Sequence, residues 1–170
     1  MSEENQYGPI AQAVQTYLDH ENWRYTARHD EGRAFVTFRS EISVPNLRVS
    51  SCFDADDDGN RFCVFVYCTI NVPEAQRLKV AEYLTRVNYR LYLGKIEMDL
   101  DDGQIRATAA ISLKDCPLSQ AMIEDMENAA HFALNDAFPG IMAIAYGNQT
   151  ADDAYALYCK KNETAQEVEA

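Results

Sequence analysis

Apolar residues recur at every third or fourth position in several stretches of the chain, which is the spacing of helices with one buried face. Three of these stretches open on a proline, whose missing amide hydrogen costs little in the first turn of a helix. A later pair, Pro139 and Gly140, should break the third helix because proline interrupts the hydrogen bonds of a helix interior. The predicted helices are 9–20, 73–92, 117–137, 140–146 and 151–160.

Between the helices, apolar and polar residues alternate with a period of two, which is typical of strands that bury one face. Turns rich in aspartate and glycine separate the strands of each pair. The element order α-β-β-β-β-α-β-β-α-α predicts an α+β domain, an antiparallel sheet with helices packed mainly on one face. The predicted strands are 23–28, 33–39, 47–54, 61–70, 95–100 and 105–112, and the acidic turns are 30–32, 54–60 and 101–103.

The chain has 170 residues, the length of one ordinary domain, and neither an internal repeat nor an interdomain linker divides the pattern. The polar N-terminus, residues 1–8, should be frayed. A single domain is predicted over 9–161. The acidic composition of 162–170 predicts a disordered tail.

The strand 61–70 is apolar at nearly every position, so both of its faces are expected to be covered. One row of alternate side chains should meet the helices. Either the first or the last helix covers the other row, or that row forms an exposed face that binds a second copy of the chain or another protein. This second row consists of Cys63, Phe65 and Tyr67.

The formal net charge of −12 limits the partners that the chain can bind. Nucleic acids and anionic membrane surfaces both select basic proteins, so neither is an expected partner. Neutral or basic proteins remain. No apolar run is long enough to cross a membrane and the first residues lack a secretion signal, so we expect a cytoplasmic protein whose five cysteines are free thiols.

The turn 54–60, DADDDGN, resembles the beginning of a calcium-binding loop. Asp54, Asp56, Asp58 and Gly59 have the spacing of an EF-hand, but the twelfth position, where that loop needs a bidentate glutamate, is Phe65. The flanking patterns are those of strands rather than helices. We therefore interpret the segment as a solvated hairpin turn and predict no metal site.

The sequence offers no catalytic motif. Phosphate-binding glycine loops and the nucleophile elbow of hydrolases do not occur, so we predict a protein that is not an enzyme and holds no cofactor. The alternative is a small-ligand-binding protein or enzyme with a pocket between sheet and helices. Such a pocket would be lined by Asn88, Tyr92 and His131.

Residues 82–113, EYLTRVNYRLYLGKIEMDLDDGQIRATAAISL, resemble the central signature of the YbjN family. In that signature a helix with the pattern N-x-x-L-x-x-G runs into a hairpin that begins with G-K and turns at D-G. The matching residues, which are of structural rather than catalytic type, are Asn88, Leu91, Gly94, Lys95, Glu97, Asp99 and Gly103.

The resemblance implies a function as well as a fold. The family is described as bacterial regulators of sensory transduction, and its fold is similar to that of type III secretion chaperones, which are small acidic proteins that dimerise and bind extended client segments. On this basis we expect a chaperone-like or regulatory protein-binding module. It would act through the apolar sheet face of Cys63, Phe65 and Tyr67, and a homodimer is one expected assembly.

Overall fold

The computed structural model describes residues 7–29, 35–44 and 47–168. Within these ranges the predicted element order is confirmed: four helices accompany one six-stranded antiparallel sheet, whose strands lie in the order β1-β2-β3-β4-β6-β5. The elements are α1 (Pro9–His20), β1 (Thr26–His29), β2 (Phe35–Val44), β3 (Leu47–Asp56), β4 (Arg61–Asn71), α2 (Arg77–Asn88), β5 (Lys95–Met98), β6 (Gln104–Ser112), α3 (Gln120–Ala145) and α4 (Ala151–Val168).

Strand β4 lies at the centre of the sheet and pairs with β3 on one side and β6 on the other. Its side chains alternate between two environments, because neighbouring residues of a strand face opposite sides of the sheet. The row that faces the helices is at most 4% exposed, whereas the opposite row is only half-buried. The buried row consists of Phe62, Val64, Val66 and Cys68.

The helices that contact the sheet cover its inner face, the side of the buried row. Helix α3 packs across β4, β5 and β6, α1 packs on β2 and β3, and α2 packs beside β5. Helix α4 forms an outer layer on α2 and α3. The core thus lies between sheet and helices, and α4 adds a second interface, in which Ala151, Ala154 and Tyr158 are buried.

Two buried tyrosines connect these layers through their hydroxyl groups, and a third, Tyr158, is buried between α4 and the other helices. Tyr83 of α2 donates to the Ala137 carbonyl of α3 at 3.1 Å, and Tyr17 of α1 donates to Glu127 of α3 at 2.6 Å. Burial, reinforced by the charge of Asp136, raises the pKa of Tyr158 to about 12. Burial is also the main cause that raises the pKa values of Tyr17 and Tyr83. Each hydroxyl is therefore favoured in its neutral form by the folded state.

The acidic turn between β3 and β4 stabilises the beginning of α1. The Asp57 carboxylate accepts hydrogen bonds from the amides of Ile10 at 2.7 Å and Ala11 at 3.3 Å. These amides lack partners within the helix, and the carboxylate also suits the positive end of the helix dipole. The contact is close enough that a Cβ at Gly8 would collide with the Asp57 carboxyl group. The turn is a hairpin connection that also caps a helix.

The predicted break in the third helix is wrong. Helix α3 runs without interruption from Gln120 to Ala145 and contains Pro139. It begins at the Ser119 cap, whose hydroxyl accepts from the Met122 amide at 3.2 Å, rather than at 117. Packing of α3 against both the sheet and α4 outweighs the single hydrogen bond that the proline removes.

Several predicted element boundaries also change. A short 3-10 turn, Glu74–Gln76, precedes α2, which ends at Asn88 rather than at 92. Strand β1 begins at Thr26, and β2 continues to Val44. Helix α4 extends to Val168, so residues 162–168 are helical where a disordered tail was predicted. The segment is acidic, but its Ala, Gln and Glu residues favour a helix. The turn 30–32 and residues 1–6 and 169–170 lie outside the described residues.

The cap formed by Asp57 predicts a measurable loss of stability. Replacing Asp57 by alanine should lower the free energy of unfolding by about 1 kcal/mol, the typical loss for an N-terminal cap. Denaturant-induced unfolding would measure the change. Asp58→Ala, in the same turn but with its side chain exposed, should stay within about 0.5 kcal/mol of the parent. Equal losses in both variants would contradict the capping role.

The buried tyrosines predict how stability falls in alkali. Because the folded pKa of Tyr158 lies above the ordinary value of 10.0, its contribution is complete below pH 10 and is lost as pH rises towards 12. Tyr158→Phe should make the decline of unfolding free energy shallower by at most about 1.4 kcal/mol per pH unit. The control, Tyr92→Phe, changes a fully exposed tyrosine and should leave the slope unaltered. Identical slopes in both variants would refute this account.

Candidate functional site

The half-buried row of β4 lies on the outer sheet face, the side on which the described part of the chain places no helix. Cys63 pairs across the strands with Ala110, Phe65 with Thr108 and Tyr67 with Arg106, all of β6. The structure thus brings Cys63, Phe65 and Tyr67 into one apolar strip with β6 residues beside it. All three are partly accessible to solvent.

An ion pair lies over Phe65, in the middle of this strip. The Arg106 guanidinium lies 4.6 Å from the centre of the Phe65 ring, and its Nε donates to Glu97 Oε2 at 2.7 Å. The Thr108 hydroxyl donates to the same carboxylate oxygen at 2.9 Å. Burial lowers the pKa of Arg106, but hydrogen bonds to Glu97 and Tyr67 raise it by more, so the net change is upward. Phe65 is therefore shielded by a fixed cation–π contact.

The environment of Cys63 argues against a reactive thiol. Burial, and then the negative charge of Asp54, raises the pKa of the Cys63 thiol. Only the thiolate is strongly nucleophilic, so the raised pKa lowers the reactivity of this thiol. Its contribution to the outer sheet face is apolar contact.

Asn88 closes the free edge of the sheet. Its side-chain amide donates to the Ile96 carbonyl at 2.8 Å and accepts from the Ile96 amide at 2.8 Å. This pair of hydrogen bonds imitates the pairing of a neighbouring strand. It occupies backbone groups of edge strand β5 that would otherwise be free to pair with another chain. Asn88 also links the end of α2 to the start of β5.

Two further residues of the signature fix the loop that Asn88 closes. Leu91 is half-buried and packs against the core. Gly94 has φ +74°, a conformation that favours glycine, and a Cβ there would lie 3.0 Å from the Ala129 carbonyl oxygen. The loop is therefore held at both ends and in its middle.

The remaining signature residues form the β5–β6 hairpin. Lys95 is exposed, and Glu97 holds Arg106 as described above. The Asp99 side chain accepts from the Asp101 amide at 2.8 Å, which shapes the turn. Gly103 has φ +80°, and a Cβ at this position would collide with the Val72 carbonyl. The contacts of these residues stabilise local structure.

The loop between α2 and β5 presents large apolar side chains to solvent. Tyr92 is completely exposed, Tyr89 is 92% exposed and Leu93 is 66% exposed. Phe132 of α3, 60% exposed, lies beside Tyr92 and Leu93. Tyr92, Leu93 and Phe132 border a concave surface of about 620 Å³, which we call the aromatic groove. Its apolar walls are Leu91, Tyr92, Leu93, Ala129, Phe132 and Tyr158, and its polar rim is Arg90, Asp125, Asn128 and Asn162.

Sequence reasoning identified only part of this surface. The sequence predicts a pocket lined by Asn88, Tyr92 and His131, but of these three only Tyr92 lines the aromatic groove. Asn88 bonds to Ile96, and His131 lies beside Ser51. The missed residues are Leu93 and Phe132. The available signal was that Tyr89 and Tyr92, within the helix predicted over 73–92, lie off the apolar stripe of Val80, Leu84, Val87 and Leu91.

His131 belongs to a buried polar chain between sheet and helices. Its Nε2 lies 3.1 Å from the Ser51 hydroxyl, its Nδ1 lies 3.3 Å from Glu127, and Glu127 accepts from Tyr17. Hydroxyl, imidazole and carboxylate follow each other here as in hydrolase triads. Ser51 is completely buried, however, so no substrate can reach it in this structure. These side-chain contacts link β3, α3 and α1.

Two searches of the described residues, 7–29, 35–44 and 47–168, bear on the alternatives. Within these ranges, no three histidine, cysteine, aspartate or glutamate side chains cluster as a metal site would require. In the same part of the chain, every helix is too short or too polar to cross a bilayer.

Comparisons with known proteins identify one family and two similar solved structures. The model of the YbjN family, described as "Putative bacterial sensory transduction regulator", matches residues 11–141. The crystal structure of YbjN from E. coli, described as "a putative transcription regulator", is similar with a TM-score of 0.51 and 12% identity, covering 82% of this chain and 92% of that one. No curated protein matches.

A second solved structure supports the same fold. An uncharacterized protein from Methanothermobacter thermautotrophicus superimposes with a TM-score of 0.55 and 13% identity, covering 80% of this chain and 99% of that chain. At such identities the structural likeness shows the fold alone. The family match, by contrast, spans most of the 170 residues and ends inside α3, so that α4 lies beyond it. The chain therefore belongs to the YbjN family.

Proposed function

We propose that the chain is a protein-binding module with a regulatory role, and that the aromatic groove is its main docking site. The exposure of Tyr92, Leu93 and Phe132 around one concave surface carries this proposal. Contiguous apolar side chains at a protein surface are unfavourable in water and usually mark a binding site. Aromatic side chains with a nearby arginine, here Arg90, are also the residues that most often dominate binding energy.

The rigidity of the loop strengthens the proposal. Asn88 and Gly94 fix the ends of the segment that carries Tyr92 and Leu93. A surface that is ordered before binding loses less conformational entropy when its partner arrives. The signature residues therefore support binding indirectly, by holding the exposed residues between them in place.

The partner is a neutral or basic protein segment with apolar anchor side chains. The net charge of −12 opposes binding to nucleic acid, so we propose regulation through protein contact for this chain. The same charge makes two copies repel each other, which disfavours a homodimer at this surface. On the groove rim, Asp125 is an exposed carboxylate that a lysine or arginine of the partner can approach.

The outer sheet face is a second candidate surface. Cys63, Phe65 and Tyr67 form its apolar centre, and Arg106 with Glu97 forms a polar border, an arrangement common in protein interfaces. Chaperone-like binding of an extended client, or pairing of two copies, would use this face. Since Arg106 already shelters Phe65, less apolar surface is available here than in the aromatic groove.

The cellular compartment and the absence of catalysis are also part of the proposal. Five free cysteines, one of them the exposed Cys116, suit a reducing compartment, so we propose that the protein acts in the cytoplasm. We propose a function that requires neither catalysis nor a cofactor, because binding through an exposed apolar surface needs no reactive group.

The binding proposal can be tested with peptides of random sequence. A phage-displayed library of 12-residue random peptides, selected on the immobilised full chain, should yield peptides that combine aromatic or aliphatic residues with lysine or arginine. The double variant Tyr92→Ser/Phe132→Ser should bind a selected peptide at least roughly tenfold more weakly, because exposed anchor residues dominate binding. Isothermal titration calorimetry would measure the affinity.

Two controls make the result specific. Leu78→Ser removes an equally exposed apolar residue at the other end of α2 and should leave affinity unchanged. Phe65→Asp should also leave it unchanged; loss of binding in this variant, with the groove variant still active, would assign the site to the outer sheet face. Binding that neither variant affects would refute the proposal, as would a concentration-dependent dimer that occupies the groove.

A further inference from the structure

A second concave site lies between α3 and α4, on the side of the helices away from the sheet. It encloses about 180 Å³, and its walls are mainly apolar. Pro139, Gly140 and Ala143 contribute from α3, and Ala154, Leu157 and Tyr158 contribute from α4. Leu157 is 57% exposed and marks the opening to solvent. The aromatic groove shares only Tyr158 with this cavity.

Gly140 keeps the cavity open on the side of α2. A Cβ at Gly140 would collide with the hydroxyl group of Tyr83, so any larger residue would displace that ring. The Tyr83 hydroxyl is itself fixed, because it donates to the Ala137 carbonyl. This wall is therefore a defined surface.

The charged groups at the cavity neutralise each other. Asp136 is 6% exposed and accepts from Lys161 Nζ at 2.6 Å and from Asn162 Nδ2 at 2.9 Å. A buried carboxylate requires such partners. Because Lys161 already compensates the Asp136 charge, a ligand of this cavity needs no charge of its own.

One polar group at the cavity has its bonding capacity unfilled. The side-chain oxygen Oε1 of Gln149 is buried and accepts no hydrogen bond from any residue that the structure describes. Gln149 is held in place through its backbone, since its amide donates to the Ala143 carbonyl at 3.1 Å. A buried acceptor without a donor is unfavourable, and native proteins leave few of them.

We propose that this cavity binds a small neutral molecule with an apolar body and one hydrogen-bond donor. The body would contact the walls formed by α3 and α4. Gln149 Oε1 is buried in the structure, so the Gln149 side chain would turn towards the ligand to accept its donor. The volume fits a single ring, since an apolar cavity of about 150 Å³ in another protein accepts benzene. Six of the lining residues, from Ala143 to Lys161, lie beyond residue 141, where the match to the family ends. Most of this site is therefore formed by the end of α3, the following loop and α4.

Phenol and toluene provide matched probes, because they have the same size and only phenol carries a donor. Titrated into the full-length protein and followed by methyl NMR, phenol should shift the signals of Ala143, Ala154 and Leu157 in a saturable manner. Toluene should bind roughly tenfold or more weakly, the effect of leaving the Gln149 oxygen without its donor.

Gln149→Leu, a loop substitution of similar volume, separates this site from non-specific binding. It should abolish the preference for phenol and improve the binding of toluene. Ala143→Leu, which fills the cavity, should weaken both probes, with the fold verified by its unfolding midpoint. Equal binding of both probes to the parent, or binding that Gln149→Leu does not change, would overturn the proposal. The proposal would also be overturned if a nuclear Overhauser effect at Gln149 revealed a permanently bound water that phenol does not displace.

Discussion

The complete burial of one row of side chains on β4 is the constraint on which the rest of the structure depends. Val64 and Val66 lie at the centre of the sheet and are fully buried beneath the helices. A shift of the strand by one residue would exchange them with Phe65 and Tyr67 and expose the core. Register is therefore strongly determined, and the helices must lie on a single side. The acidic turn contributes by capping α1 over the same face.

This one-sided arrangement leaves binding to surfaces that the core does not need. The aromatic groove lies where α2 ends and the chain turns into edge strand β5. Asn88, the last residue of α2, contributes to this arrangement, because its two hydrogen bonds to Ile96 cover part of the sheet edge and hold the loop. The cavity beneath α4 arises differently, from an outer helix that packs incompletely against Gly140 and Tyr83. Tyr158 borders both sites.

Periodicity predicted the element order, because the apolar positions of strands and helices recur with different spacings. Periodicity separated the two rows of β4 but could not predict which row faces the helices, since both are apolar. It placed a break at Pro139 because local propensity ignores the packing of α3 between sheet and α4. The groove and the state of Gln149 could not be predicted, because both depend on contacts between residues distant in sequence. Asn88 was recognised as a signature residue, but its bond to Ile96 required the fold.

Mapping a selected peptide onto the protein by amide NMR would test the central claim, that the chain binds protein through the aromatic groove. Titration of the peptide into ¹⁵N-labelled protein should shift the amides of residues 89–93 and of α3 around Phe132, while the amide of Ile96 stays protected by Asn88. Shifts centred on β4 and β6 around Phe65 and Arg106 would instead assign binding to the outer sheet face. Such a result would contradict the account.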